Sequence, residues 1–409
     1  MRIIFLFFIT IFSFLISCHR EDPLENKDIN GFGGAHKDYS YEDYGNFYNY
    51  NAYIDKITAA DSSGALIPPI ALPASRIAVF TENGYFYKFF EKSIEWSNKF
   101  NQDDFPLTSM VVDKSGNFYY ISISGELVSL DKNGKLKWKI IISDTLKKNN
   151  LFSDILIFED YLFFGDNSGK FYAYSTNGKP LWSKIFPLMI NRTFSISESG
   201  NIALTLTNDE FGLSDKLFFL KKNGEVIFEK EFQGIRLFRS PSIQKNKLIL
   251  TGVEDINDER KNLIICLDTL GNEHWRKKID LFPRYTSISQ DGLIFIVGFN
   301  AGIGKPISVI YCLDANGKEN WKLYYDVTIK TPIMISKNKL AFLGVKDNLT
   351  AIFFIKKEGS IINHISLNDA PLINIKPTVR SDGVICFAAV NKLQIVRIDD
   401  TFLNKILPW

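Results

Sequence analysis

Beyond residue 65 the chain is written in short apolar runs separated by small polar turns, and no helical period is sustained. FYYIS follows KSGN, IALTL follows ESGN, LIFIVG follows QDG and VICFAA follows SDG. LILTG and LAFLG each follow KNK. Runs this short, rich in branched and aromatic residues and bounded by turn signals, predict β-strands. A second turn recurs downstream of each run, in LDKNGKLKW, YSTNGKPLW, LKKNGEVIF, LDTLGNEHW, LDANGKENW and IKKEGSIIN. Its glycines are Gly134, Gly178, Gly224, Gly271, Gly317 and Gly359, at steps of 44, 46, 47, 46 and 42 residues. Four residues after each stands Trp138, Trp182, Phe228, Trp275, Trp321 or, in the last copy, Asn363.

A short Asp or Asn side chain can bond nearby backbone N–H groups, and glycine takes the positive φ of a tight hairpin. The aromatic then opens the next strand and is placed to pack on a neighbouring unit. Two weaker copies flank the series. FFEKSIEW puts Trp96 in register without the glycine, and IDDTFLNKI keeps Asp399 with Ile406 at the aromatic position. Four strands in each unit of 42–47 residues is the signature of a propeller blade. The prediction is an all-β, eight-bladed β-propeller of four-stranded antiparallel blades over 66–409. Seven blades are the alternative, because the first and last copies, next to the ring closure, carry the poorest motifs.

These apolar-Asp-x-x-Gly hairpins followed by Trp resemble the pyrroloquinoline-quinone (PQQ)-like propeller repeat. That family includes quinoprotein alcohol dehydrogenases and the BamB lipoprotein of the outer-membrane β-barrel assembly machinery. The resemblance covers residues 66–409 and speaks to architecture; a fold does not carry a function by itself. WD-repeat propellers share the period, but their Gly-His and Trp-Asp signatures are missing here.

The start of the chain differs in texture. Arg2 and the apolar stretch Ile3 to Ile16 read as a secretory signal, too short for a transmembrane helix. Leu15-Ile16-Ser17-Cys18 resembles a bacterial lipobox, which implies a signal peptide over 1–17 and a lipidated Cys18. Several acyl chains would hold the protein on a membrane. Residues 18–65, with Tyr39 to Tyr53 among Gly, Asn and Asp, read as a flexible tether. The Tyr run could instead bind a partner or add a strand to the body.

Composition narrows the function. The 409 residues carry a net charge of +2, and no basic stretch interleaved with aromatics points to nucleic acid. Asp131, Asp268, Asp314 and Asp399 recur at one repeat position, dispersed around the ring, which makes them turn residues. A quinoprotein dehydrogenase would be expected to bring calcium ligands, a catalytic Asp and adjacent cysteines; no Cys-Cys pair is present. Cys266, Cys312 and Cys386 lie in apolar runs and read as buried thiols. His19, His36, His274 and His364 share no metal-ligand spacing. Asn191-Arg192-Thr193 matches a glycosylation pattern that carries little weight in a bacterial lipoprotein. No catalytic residue, metal or cofactor is therefore assigned.

Two features suggest binding. A basic residue opens the first strand of five successive units: Arg192, Arg239, Arg284, Lys330 and Lys376, in INRTF, LFRSP, FPRYT, TIKTP and NIKPT. If first strands line the central channel, these cations ring one mouth of it and would favour an anionic ligand or an acidic partner segment. The alternative is a structural clip in which each bonds carbonyls at a blade junction. The loops 207–216, 254–262 and 299–308, between second and third strands, are long in three adjacent units and share that face. The leading expectation is a non-catalytic, lipid-anchored scaffold with a monomeric body, binding proteins in the bacterial envelope at the outer membrane. A quinone- or small-anion-binding enzyme or sensor and a surface adhesin are the alternatives.

Overall fold

A computed structural model describes residues 53–58 and most of 65–399. It leaves out 59–64, 73–75, 91–92, 143–151, 208–214, 239–240, 257–258, 290, 301–306, 336–338, 347–348, 368–377, 380–384 and 389–393, together with everything before 53 and after 399. The side chains of 53–58, 71, 191–193, 256, 259, 339, 346, 349, 361–363, 365–367 and the strands after 377 are also not described. The lipobox and most of the tether lie outside the described residues.

Seven four-stranded antiparallel blades are each made of strands consecutive in sequence. Blade 1 spans 70–99, blade 2 111–141, blade 3 156–185, blade 4 189–232, blade 5 235–279, blade 6 282–325 and blade 7 328–367. The expected eight blades are corrected here to seven, the alternative count. The remaining sheet is composite, ordered Tyr53–Thr58, Gln394–Asp399, Ile385–Ala388, Thr378–Val379. Its outermost strand comes from the stretch assigned to the tether, with six pairs running from Tyr53↔Asp399 to Thr58↔Gln394. That edge is the place a fourth strand around Ile406 would have taken, and Asp399 ends a strand against Tyr53. Ile406 itself lies outside the described residues.

Why the strands stack in this order follows from their burial. Second and third strands, such as Phe118–Ile121 and Glu126–Leu130, are buried on both faces, whereas fourth strands alternate exposed and half-buried positions. First strands of neighbouring blades touch: Val111–Val112 meets Leu156–Phe158, and Ser242–Gln244 meets Phe282–Ile288. The first strands therefore line the axis and the fourth strands form the rim. Thr378–Val379 meets Ile70–Leu72, so the composite sheet abuts blade 1. Each of six apolar clusters spans one junction between consecutive blades, from 1–2 to 6–7. The core is thus a chain of blade-to-blade interfaces, as expected of a repeat architecture.

The repeat residues hold those interfaces. Trp182, Trp275 and Trp321 donate their indole N–H to Lys222 O (2.9 Å), Ala315 O (3.2 Å) and Lys357 O (2.8 Å), each in the hairpin of the following blade. The acceptor stands two residues before the hairpin glycine. Gly317 has φ +79°, and a Cβ there would lie 2.8 Å from the Trp275 ring, so the turn and the docking surface both require glycine. A second clip was not anticipated. Lys230 and Lys277, two residues after the aromatic, donate to Gly271 O and Gly317 O of the next blade, both at 3.1 Å. Serines pin the axis: Ser195 Oγ donates to Pro241 O (2.5 Å), Ser242 Oγ to Thr286 O (3.1 Å) and Ser287 Oγ to Ile333 O (2.9 Å).

Candidate functional site

Three of the four dispersed acids are turn clamps; the side chain of Asp399 is not described. Asp131 Oδ1 accepts from the amides of Asn133 (2.8 Å) and Lys135 (2.9 Å), and Asp314 Oδ1 from those of Asn316 (2.8 Å) and Lys318 (2.9 Å). Asp268 does the same with Leu270 and Asn272. Burial alone would raise the Asp268 carboxyl, but these donors and His274 nearby outweigh it and hold it low. Groups already spent on their own hairpins are poor proton carriers. His274 is exposed, 3.7 Å from Asp268, and exposed His364 stacks on Phe353. Among the described residues no three potential metal ligands are gathered.

Cys266 and Cys312 are free and buried, paired across the strands from Trp275 and Trp321. Burial pushes their thiols up to about 11 and about 12. Such thiols are almost wholly protonated at pH 8, and protonated thiols are not nucleophiles. Iodoacetamide at pH 8 is expected to leave both unmodified in the native protein and to label both in denaturant, read by peptide mass spectrometry. Labelling of the native protein at a free-thiol rate would contradict this. The side chain of Cys386 is not described.

The basic positions fall at one recurring irregularity. In blade 4 the first strand, Met189–Ile196, loses register between Ile190 and Phe194, around Arg192. In blade 6, Phe282–Ile288 bulges between Pro283 and Tyr285, at Arg284. In blades 5 and 7 the first strand is split, into Ile235–Leu237 and Ser242–Gln244 and into Thr328–Ile329 and Met334–Ile335. Arg239 and Lys330 fall in those gaps. Bulges bend a strand and re-aim its side chains, and they concentrate at rims and sites. Because these breaks lie where the first strand starts, opposite the end of the second, they share a face with the connections between second and third strands.

Arg284 and Lys330 are the two described well enough to compare, and Tyr285 links the strands that carry them. The Arg284 guanidinium sits 5.4 Å from the Tyr285 ring centre, and Tyr285 Oη donates to Lys330 O (3.0 Å) across the blade 6–7 junction. Lys330 N in turn donates to Leu343 O (2.9 Å). Arg192 has no described side chain, and Arg239 and Lys376 lie outside the described residues.

An aromatic cluster on the same face escaped the sequence reading. The rings of Phe238 in blade 5 and Phe282 in blade 6 are 4.7 Å apart, and Phe282 is 5.1 Å from Phe299. Phe282 is 40% exposed. In LFRSP and FPRYT the Phe stands one or two residues before the basic residue, a signal hidden among 35 phenylalanines.

The inner edge of the cluster is set by Gly298, which pairs with Pro283. A Cβ on Gly298 would collide with the Phe282 carbonyl oxygen and the Leu281 side chain. Gly298→Ala is expected to cost ~1–3 kcal/mol as an overpacked substitution, and to shift the tryptic accessibility of 282–300. An unchanged melting temperature would show that the strand yields freely.

One expected loop is corrected. Residues 254–262 form no long loop: Lys247–Ile256 and Glu259–Asp268 are a ten-pair hairpin that includes Glu254↔Lys261 and Asp255↔Arg260. Opposite charges facing across the ladder, with Arg260 Nε 3.5 Å from Asp255 Oδ2, favour strand over loop. Of 207–216, the stretch 208–214 lies outside the described residues, as does 301–306 of 299–308. On the opposite face a cavity of about 110 Å³ lies between blades 5 and 6, beside Lys247 and Asp291. Both charges there are engaged, Lys247 by Ala315 O (2.8 Å) and Asp291 by Lys357 (3.4 Å).

No protein-family model matches the chain, and no curated protein matches its sequence. Solved structures do match it in shape. BamB from Moraxella catarrhalis superposes with a TM-score of 0.59 at 13% identity, covering 84% of this chain and 98% of that one. A computationally designed protein, Ika8, gives 0.58 at 11% identity, and Sqt1 of Saccharomyces cerevisiae gives 0.53 at 10%, each with the same coverages. At such identities the likeness is one of fold, and the fold of this chain is that of a BamB-like β-propeller.

Proposed function

We propose that this chain is a non-catalytic propeller scaffold, held on the outer membrane by lipid at Cys18, which engages other envelope proteins in outer-membrane protein assembly. The observation that carries the reading is the convergence on one face of the first-strand breaks, the basic residues at them and the exposed aromatic cluster. The repeat's resemblance to the family that includes the BamB lipoprotein, and the BamB-like fold, support the assembly role. Acids of the repeat that are committed to their own turns suit a scaffold that binds partners better than chemistry.

The test is affinity capture from intact membranes with the full chain as bait, followed by the same capture with Arg239→Gln and Arg284→Gln together. Reproducible recovery of outer-membrane assembly proteins is expected, weakened in the double variant while the melting temperature stays nearly unchanged. A large loss of stability in the double variant would instead identify those residues as junction clips. Recovery of no envelope protein by the unaltered chain would sink the scaffold reading.

A further inference from the structure

We infer that the cavity between blades 5 and 6, on the face opposite the first-strand breaks, is a binding site for a phenol ring. The inference stands independently of the scaffold reading and starts from two hairpins built alike. In blades 3 and 5 only two residues join the first and second strands, with Phe158 paired to Tyr161 and Gln244 to Lys247. Both turns put a non-glycine residue in the left-handed region, Glu159 at φ +51° and Lys245 at φ +52°, as a tight two-residue hairpin demands. Phe158 and Gln244 are therefore equivalent residues. Each faces a blade whose own turn closes on a glycine, Gly200 bonding back to Ser197 O and Gly292 to Ser289 O. At the blade 3–4 junction the Phe158 ring fills the space beneath that turn, and a Cβ on Gly200 would lie 2.6 Å from it. At the blade 5–6 junction a Cβ on Gly292 would meet nothing nearer than the Ala315 Cβ, at 3.5 Å. The volume that a phenyl ring takes up in one junction is open in the other, as the cavity of about 110 Å³.

The lining sets the chemistry of the occupant. Ile249, Ile288 and Ile294, all buried, supply apolar walls, and exposed Asn246 and Asp291 flank the mouth. An apolar cavity of ~150 Å³ takes benzene, so this one, open at its mouth, has room for a single ring. Ser242 Oγ reaches blade 6, and Gln244, two residues on, shares that side of the strand. Gln244 is 7% exposed, and among the described residues no group hydrogen-bonds its amide. At the same place in blades 4 and 6, Ser197 and Ser289 are spent on amides of their own turns. A buried amide is costly to leave without a partner, and a phenol hydroxyl, which both donates and accepts, can serve either end of it. The sister junction also shows the cation such a ring would meet. Lys222, two residues before Gly224, holds its Nζ 5.7 Å from the Phe158 ring centre and 5.6 Å from that of Tyr161. Lys247 stands where Tyr161 does and donates to the carbonyl of Ala315, two residues before Gly317, at 2.8 Å. An ammonium that borders a ring in one junction thus borders the cavity in the other, and a ring entering it gains the same cation–π attraction.

The test titrates the purified full chain in detergent with phenol, N-acetyltyrosinamide and N-acetylphenylalaninamide, reading backbone hydrogen exchange at 244–249 and 291–294. The first two are expected to slow that exchange saturably. N-acetylphenylalaninamide has the ring without the hydroxyl and should need about five- to tenfold more than N-acetyltyrosinamide, the worth of one hydrogen bond to a buried amide. Gln244→Phe installs the side chain of the sister junction, so it should abolish the response and raise the melting temperature, as cavity filling does. Gln244→Leu keeps the apolar walls and loses the amide. It should bring the two N-acetyl amides to equal affinity, a readout that misfolding cannot give. Tighter binding of N-acetyltyrosinamide than of phenol identifies a tyrosine side chain of a polypeptide as the occupant, and the reverse order a free phenol; both uphold the site. No saturable response to either phenol would overturn the inference, as would an equal response to N-acetylphenylalaninamide in the unaltered chain or a response that survives Gln244→Phe.

Discussion

Trp182→Ala is expected to destabilise the propeller by ~3–5 kcal/mol, the range for truncating a large aromatic in a core. Trp182 is only half-buried, yet it is a keystone of the blade 3–4 junction. Its ring lies 6.1 Å from Phe163 and 5.9 Å from Phe171, the glycine of the next hairpin, Gly224, closes on its face, and its N–H bonds Lys222 O at 2.9 Å. Truncation removes the ring from two blades at once and leaves the Lys222 carbonyl without its donor. Trp182→Phe separates these contributions, since it keeps most of the apolar area and loses the hydrogen bond, for about 1 kcal/mol plus a small packing term. Trp96 provides the control. It holds the equivalent position in blade 1, but its Nε1 is buried with no partner. Trp96→Phe removes an unsatisfied donor and should cost clearly less than Trp182→Phe. Urea unfolding midpoints of the four proteins check the order, and a Trp96→Phe loss equal to that of Trp182→Phe would refute the role given to the indole bond.

This pair also marks what could be read from the sequence. The blades were legible because the hairpins are specified within a few residues: at Asp131, Asp268 and Asp314 a carboxylate that clamps amides two and four residues on, in six copies a glycine at positive φ, and in all of those but the last an aromatic four residues later. Docking of that aromatic on the next unit follows from its recurrence, since a bulky ring at every step needs a neighbour. The lysine clip is made by Lys230 and Lys277, two residues after the aromatic, but its acceptor lies about 40 residues further on and only the stacked blades reveal it. Similarly, glycines 252, 298 and 344 end the runs LILTG, LIFIVG and LAFLG, and their meaning depends on which first-strand residue they face. Gly252 would put a Cβ 2.6 Å from Arg236 O, and Gly298 would strike Phe282, so these glycines permit the breaks at which the basic residues sit. The basic positions were thus found by alignment, while the reason for their common geometry and the aromatic cluster beside them came only with the sheet pairing. Residues 254–262, expected as a long connection between second and third strands, extend the ladder instead, because facing charges of opposite sign stabilise it.

Ring closure was the least legible step, and it yields the second large effect. Pairing of Tyr53–Thr58 with Gln394–Asp399 joins segments at opposite ends of the chain, a contact no local pattern announces. The IDDTFLNKI copy favours a different closure, in which the chain turns after Asp399 and supplies its own outer strand through Ile406. Deleting residues 19–58 while retaining the signal and Cys18 distinguishes the two. With Tyr53–Thr58 as the outer strand, deletion strips six residue pairs from the composite sheet and leaves Gln394–Asp399 as an open edge. Its amides should lose at least about tenfold in hydrogen-exchange protection, because each outward N–H bond is broken and the edge frays. An open edge also templates pairing with a second chain, so concentration-dependent association should rise. The six junction cores from blade 1 to blade 7 do not involve the deleted strand, so their amides should remain protected. A synthetic peptide of residues 51–60 added in excess should restore protection at 394–399 and suppress association. If the C-terminal copy closes the ring instead, deletion leaves 394–399 protected and the peptide has no effect. In the first case Tyr53–Thr58 is the strand that locks the propeller, and under the proposed lipid attachment at Cys18 a pull on the stretch before it would load the closing sheet directly.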